Sequence, residues 1–280
     1  WGLYWLPLYY VEDQGLDGGW AVAMVNVPAL AVLIPLLLWQ WGQHKQHLPR
    51  LLLIGFFTGA GLALYASGLV YSSVVRATLL FYLTPVWATL IGMLWLGEQA
   101  TWSRWGAIGA GLAGLVMLVS GGGDSLPLNI GDLFALLSGM FWAIGASLIM
   151  RHPEVPVAGM MTGMFAVTGV IAISVGHLFG GDAVPSMAAL RDSLPVGAAV
   201  AILVFIPTVW SIFWAQKFLF PGRAGLLMMS EVMMAVITAS LLLPEETMGS
   251  VEWAGAALII FACLLEVFST PGVETSSGPA

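Results

Sequence analysis

The stretch VRATLLFYLTPVWATLIGMLWLGE, Val75 to Glu98, decides how the chain is read, because it returns as GRAGLLMMSEVMMAVITASLLLPE, Gly222 to Glu245. At a constant offset of 147 residues, Arg76 meets Arg223, Ala77 meets Ala224, Leu79 and Leu80 meet Leu226 and Leu227, and Glu98 meets Glu245. Each copy is an apolar run with an Arg at its start and a Glu at its end. At the same depth, Thr84-Pro85 in the first copy stands opposite Glu231-Val232 in the second.

The rest of the chain has the same texture. Of 280 residues, 59% are hydrophobic and only 8% charged, against about 25% charged in soluble domains. Apolar runs are continuous over about 20 residues, the length a spanning helix needs. A membrane barrel would instead alternate apolar and polar residues in segments of about 10. The composition therefore predicts an all-α membrane protein. Windows of span length place ten transmembrane helices at roughly 1–11, 20–41, 51–71, 77–97, 104–120, 131–150, 157–179, 195–216, 224–243 and 253–269.

Five spans fall in each half, so the halves read as two inverted five-helix repeats: 1–122, then 123–270, with 271–280 a polar tail or artificial extension outside the fold. Trp142 aligns with Trp1, and by the repeat about eleven residues of the first span are expected to be missing before Trp1. With the N-terminus cytoplasmic, Lys45, Arg50, Arg104, Arg151, Lys217 and Arg223 fall inside, and only Arg76 and Arg191 fall outside. The C-terminus is then cytoplasmic too. A single duplicated chain has every element of a pathway, which predicts a monomer.

Net charge of -7 with eight Lys and Arg excludes a nucleic-acid binder, and one Cys excludes an intrachain disulfide. No phosphate loop, nucleophile-base arrangement or metal-ligand cluster stands out, so neither an enzyme nor a cofactor is expected. His44 and His47, in the polar run 42–47, read as solvated loop residues. Arg76 and Arg223 read as side chains reaching for lipid headgroups.

Glu231 is the deepest carboxylate, eight residues into its span, or about 12 Å at about 1.5 Å per residue. Such a residue faces a cavity on a substrate or proton path, or stays protonated or paired and only ties helices together. Pro85 removes a backbone donor and kinks its helix; the freed carbonyl gives a binding notch or hinge, or merely a packing bend. Trp5, Trp142, Trp210 and Trp214, with Tyr65 and Tyr82, lie at mid-depth rather than at the interfaces where Trp and Tyr concentrate. They form a ring-binding wall or ordinary helix packing. Met228 beside Glu231 offers a deformable wall or faces lipid. Small residues every fourth position, Gly55, Gly59, Ala63 and Ser67 in the third span, Gly106, Ala110 and Gly114 in the fifth, and Gly139, Ala143 and Ser147 in the sixth, predict close helix packing.

Each half ends in a Pro- or Gly-marked span, a Glu, and a closing helix rich in small residues: LGEQATWSRWGAIGAGLAGLVML, 96–118, and LPEETMGSVEWAGAALIIFACLL, 243–265. In this the chain resembles the EamA family of the drug/metabolite transporter superfamily over its whole length, and within it the aromatic amino-acid exporters of the bacterial inner membrane. The resemblance implies alternating-access export of aromatic amino acids, with a broad drug or metabolite exporter as the alternative and a non-transport membrane scaffold as the rival. Its implied partners are an apolar amino acid or cationic drug, and membrane lipid. The family's usual Pro is replaced by Glu231-Val232 in the second copy.

Overall fold

An apolar run in a bilayer has only its own backbone to hydrogen-bond with, so it folds as helix. The structure, a computed structural model, describes residues 2–97, 102–120, 128–180, 183–221, 224, 231, 234, 238, 241–242 and 249–269, and contains no strand among them. The described helices are α1 Trp5–Asp13, α2 Gly18–Trp39, α3 Trp41–Tyr71, α4 Val74–Leu96, α5 Trp102–Ser120, α6 Ile130–Arg151, α7 Val157–Phe179, α8 Met187–Gln216 and α9 Ser250–Ser269. Six of these, α2, α3, α4, α6, α7 and α8, are long and apolar enough to cross a membrane. The span expected over 224–243 is described only at Ala224, Glu231, Met234, Thr238, Leu241 and Leu242. Met228 and Arg223 lie outside the described residues, as does the tail at 271–280.

Two boundaries depart from expectation. The polar run 42–47 is not a loop: it coils as a short helix and a 3-10 turn that make up the first turns of α3. His44 is consequently buried, with Nδ1 2.9 Å from the Gln40 carbonyl. It packs where Gly159 of α7 has no side chain; a Cβ there would stand 2.5 Å from the imidazole. The second departure is α8, which starts at Met187 and not near 195, because Ser186 caps it by accepting from the Ala189 N–H. Hydropathy alone misses this turn because Arg191 and Asp192 lie in it.

Small residues set the packing. α3 lies against both α6 and α7, and α5 lies against α9. At Gly55 a Cβ would be 2.8 Å from the Gly163 Cα, and at Gly59 it would be 2.5 Å from the Met164 carbonyl oxygen. Backbones this close exclude any side chain at those two positions. The fifth-span row behaves less uniformly, since Gly114 meets the Gly255 carbonyl while Gly106 faces open space.

The bundle has one acidic and one basic end. Glu12, Asp13, Asp17, Asp132 and Asp192 gather at the first; Lys45, Arg50, Arg151 and Lys217 gather at the second.

Candidate functional site

Asn129 begins the site's framework at the acidic end. Its Oδ1 accepts from the Asp132 N–H at 3.0 Å while its own N–H donates to Asp132 Oδ2, also at 3.0 Å, a reciprocal cap for α6. The cap holds the Asp132 carboxylate at the first turn of α6, beside the first turn of α4. Arg76 reaches it with Nη2 at 2.6 Å, and the Ser72 hydroxyl donates to its other oxygen at 2.5 Å. Arg76 is thus not a headgroup anchor. Both partners are largely buried, at 16% and 5% side-chain exposure, and the pair joins α4 to α6.

From Arg76, α4 runs inward and breaks. Pro85 lacks an N–H, so the carbonyl of Phe81 has no backbone donor at the fourth position; the Thr84 hydroxyl supplies one instead. Tyr82 and Leu83 form a turn at this step, with the Tyr82 N–H still donating to the Thr78 carbonyl at 3.1 Å. The break rests on Gly139 of α6, where a Cβ would be 2.7 Å from the Phe81 oxygen. Backbone geometry therefore fixes which way Tyr82 points.

The Tyr82 hydroxyl donates to Glu231 Oε2 at 3.2 Å, bridging the two copies of the repeated stretch. Rings line up behind it: Tyr82 meets Phe81 edge-on at 5.2 Å, Phe81 lies 4.6 Å from Tyr65, and Tyr65 stacks on Tyr4 at 6.1 Å. Polar contacts then orient the tyrosines. Tyr65 and Thr78 hydroxyls are 3.4 Å apart, and Asn26 Nδ2 donates to the Tyr4 hydroxyl at 2.7 Å. Seven residues beyond Glu231, on the same helical face, Thr238 accepts from Trp5 Nε1 at 3.4 Å. The arrangement offers one carboxylate, several hydroxyls and a wall of rings, which suits a solute with a cationic or hydrogen-bonding head and a flat apolar body.

Of the residues singled out in the sequence, the structure brings Trp5, Tyr65, Tyr82 and Glu231 into one connected group, with Pro85 three residues beyond Tyr82. Trp142 is buried nearby in the bundle, its ring 6.2 Å from Phe213 and its backbone against Gly61. Trp210 and Trp214 do not join the group. They stand 42% and 58% exposed on α8, and Trp214 meets Phe218 edge-on. Helical register explains this, since Val209 and Phe213 take the inward face of that turn and leave 210 and 214 outside. Met228 is not among the described residues.

Sequence reading missed Tyr4, Asn26, Thr78 and Thr238. Asn26 carried a legible signal: a buried amide in an apolar run, two residues before Pro28, where α2 tightens into a 3-10 turn at Val27–Ala29. Asp132 did too, through the Asn-x-x-Asp cap pattern. The others had none.

At the basic end, Lys217 donates to the carbonyls of Pro153 and Val155 at 2.8 and 2.7 Å, tying α8 to the turn between α6 and α7. Arg50 of α3, just past the 3-10 turn, holds Glu154 in that turn at 2.6 Å, and His152 Nδ1 lies 3.5 Å from the same carboxylate oxygen. The backbone N–H of Glu154 holds its carboxyl below the usual range, with Arg50, His152 and His47 adding to the effect against a small desolvation cost. Burial pushes the Lys217 ammonium down from its ordinary value.

Comparison with known proteins matches residues 1–120 and 129–268 to the EamA-like transporter family. An uncharacterized inner membrane transporter of Escherichia coli K12, YedA, is 26% identical over 275 residues, covering 93% of this chain and 86% of YedA. A riboflavin transporter of Rhizobium johnstonii is 25% identical over 170 residues, 59% of this chain and 52% of that protein. A crystal structure of a protein 18% identical shares the fold with a TM-score of 0.64, covering 95% of this chain and 93% of the other. Neither named relative is described as handling amino acids, so the narrower likeness to the aromatic amino-acid exporter YddG gains no support from them.

Proposed function

This chain belongs to the EamA-like transporter family, and we propose that it exports small, largely apolar solutes, aromatic amino acids first among them, across the bacterial inner membrane by alternating access. The observation that carries this reading is the Tyr82–Glu231 hydrogen bond, with rings stacked behind it. An amino-acid ammonium would take the Glu231 carboxylate from the Tyr82 hydroxyl. The side-chain ring would lie along Phe81 and Tyr65, and the backbone at the Pro85 break would meet the polar end. Trp5 and Trp142 would close the wall, and Met228, three residues before Glu231 in the sequence, belongs to the same proposal. Trp210 and Trp214 have no part in this version of the site.

The ten-span inverted repeat belongs to the same proposal, and the packing supports it. α3 packs on α6 and α7, while α8, five helices on, packs on α1 and α2. Exchanging each helix for the one five places away reproduces those contacts. Inverted repeats of this kind put the site near the midplane and alternate access by rocking one half on the other. In that motion the Arg76–Asp132 pair would close the acidic, outward end. The Lys217 and Arg50 contacts to the 152–156 turn would close the basic, cytoplasmic end.

The similarity to a riboflavin transporter favours one further reading, a larger flat heteroaromatic solute on the same rings. One experiment addresses both. Proteoliposomes preloaded with unlabelled phenylalanine should accumulate labelled phenylalanine by counterflow, where empty liposomes and a leucine-loaded set do not. Counterflow of riboflavin alone would shift the substrate class, and no counterflow of either would remove the aromatic reading. Glu231→Gln is expected to lower counterflow roughly tenfold or more, the worth of a hydrogen bond to a charged group. Unchanged transport in that variant would overturn the role given to Glu231.

A further inference from the structure

The repeat pairs the α3–α7 contact with the α8–α2 contact, and the two differ in closure. Along α3 and α7, Gly55 and Gly59 bring the backbones together. Along α8 and α2 the close approach is at Gly197, where a Cβ would be 2.6 Å from the Met24 carbonyl. The two helices meet again between Val27–Ala29 and Val200–Phe205. They leave a groove of about 880 Å³ between α2, α7 and α8, lined by side chains such as Met24, Ile34, Ile173, Leu194 and Ile202, with Trp20 at one end and Pro35 at the other. Val27, Ile34 and Leu194 on its walls are 37%, 43% and 49% exposed, so it opens to the bilayer side of the bundle.

We infer that this groove is a phospholipid site, with one acyl chain along α2 and the headgroup phosphate on Arg191. Length supports the chain. From Trp20 to Pro35 is fifteen residues, about 22 Å of helix at about 1.5 Å per residue, enough to take a chain from the interface past the middle of a hydrocarbon core about 30 Å thick. Lining supports it as well. Every wall but the Trp20 end is aliphatic, thioether or proline, so water there would have no partners. Trp20, the one indole in the lining, marks the depth of the headgroup region, where tryptophans concentrate. Charge supports the headgroup. Arg191 stands one helical turn before Leu194 and directly after Leu190, both wall residues. A helical side chain leans toward its N-terminus, which carries the guanidinium toward the acidic end and the interface. It is exposed and makes no ion pair among the described residues. In an end otherwise crowded with carboxylates, it is the cation next to the groove.

This inference is independent of the transported solute. Native mass spectrometry of the intact protein, purified in mild detergent and titrated with dioleoylphosphatidylethanolamine, reads it directly. Wild type should retain one lipid more than a variant with the groove filled. Ala198→Phe should lower that bound fraction about tenfold or more, the cost of displacing a few methylenes. Arg191→Gln should lower it about fivefold, the worth of one basic residue at a membrane surface. Dioleoylglycerol, which has the chains without the phosphate, should bind wild type and Arg191→Gln alike. Should Ala198→Phe fail to fold, Ile34→Trp fills the same groove from a wall position with room beside it. Lipid retained equally by a folded groove-filling variant overturns the site. Retention unchanged in Arg191→Gln overturns the headgroup assignment.

Discussion

The two ends of the bundle are both tied by ion pairs, and the pairs are of different kinds. At the acidic end Arg76 and Asp132 are nearly withdrawn from solvent, fixed by a helix cap and a serine. At the basic end Arg50 and Glu154 are 51% and 41% exposed, and the firmer tie is Lys217 on two backbone carbonyls. In a buried pair, desolvation offsets most of the attraction while both members are present, and removing one member is strongly destabilising, whereas an exposed pair is worth little either way. The acidic end is therefore held by a charge that must stay paired. The basic end is held by Lys217 on backbone carbonyls, and its exposed pair adds little.

Removing one member of the buried pair should show the largest effect. Asp132→Asn takes the Asp132 charge away from a largely buried Arg76 and should cost about 3 kcal/mol in unfolding measured in micelles. Adding Arg76→Gln should recover part of that loss; no recovery would mean the pair is not what holds α4 to α6. Next comes Lys217→Met, which takes the donor from the Pro153 and Val155 carbonyls and should cost about 1.5 kcal/mol. Faster proteolysis at the 152–156 turn is the accompanying readout.

Glu154→Gln is expected to cost about 0.5 kcal/mol, and the difference from wild type should vanish in 1 M salt. An effect as large as that of Asp132→Asn would erase the contrast between the ends. Acid sharpens it further. Because the Glu154 carboxyl sits below its ordinary value of 4.5 in the folded protein, its stabilising contribution is full above that pH. It fades as pH falls through 4.5 and below. Unfolding midpoints should therefore match at pH 7 and pH 5.5, with any Glu154-dependent loss confined to more acidic solutions.

How much of this was readable beforehand varies residue by residue. Pro85 announced the break in α4, since a residue without an N–H always leaves a carbonyl unserved. Gly55 and Gly59 announced close packing through their spacing. His44 was misread because polar residues in a run look like loop, while a helix that continues through them turns one face inward. Trp210 and Trp214 stand apart from the ring group for a different reason: depth in a span is legible from sequence position, but rotation about the helix axis in a uniformly apolar span is not. Arg76 was assigned to lipid because its partner lies 56 residues away and nothing local points to it.

Read segment by segment, the residues alone make the chain helical and apolar enough for a membrane, repeat one half in the other, and put Glu231 deep in an apolar span. Those are consequences of hydropathy, length and repetition, and each can be read one segment at a time. Packing in three dimensions is what brings Tyr82 to Glu231 and Asp132 to Arg76, and what leaves a groove among α2, α7 and α8. Each depends on which faces of distant helices meet. In a chain this apolar, that choice is made by backbone approach at glycines and by a few polar groups finding partners, and hydropathy carries no record of either.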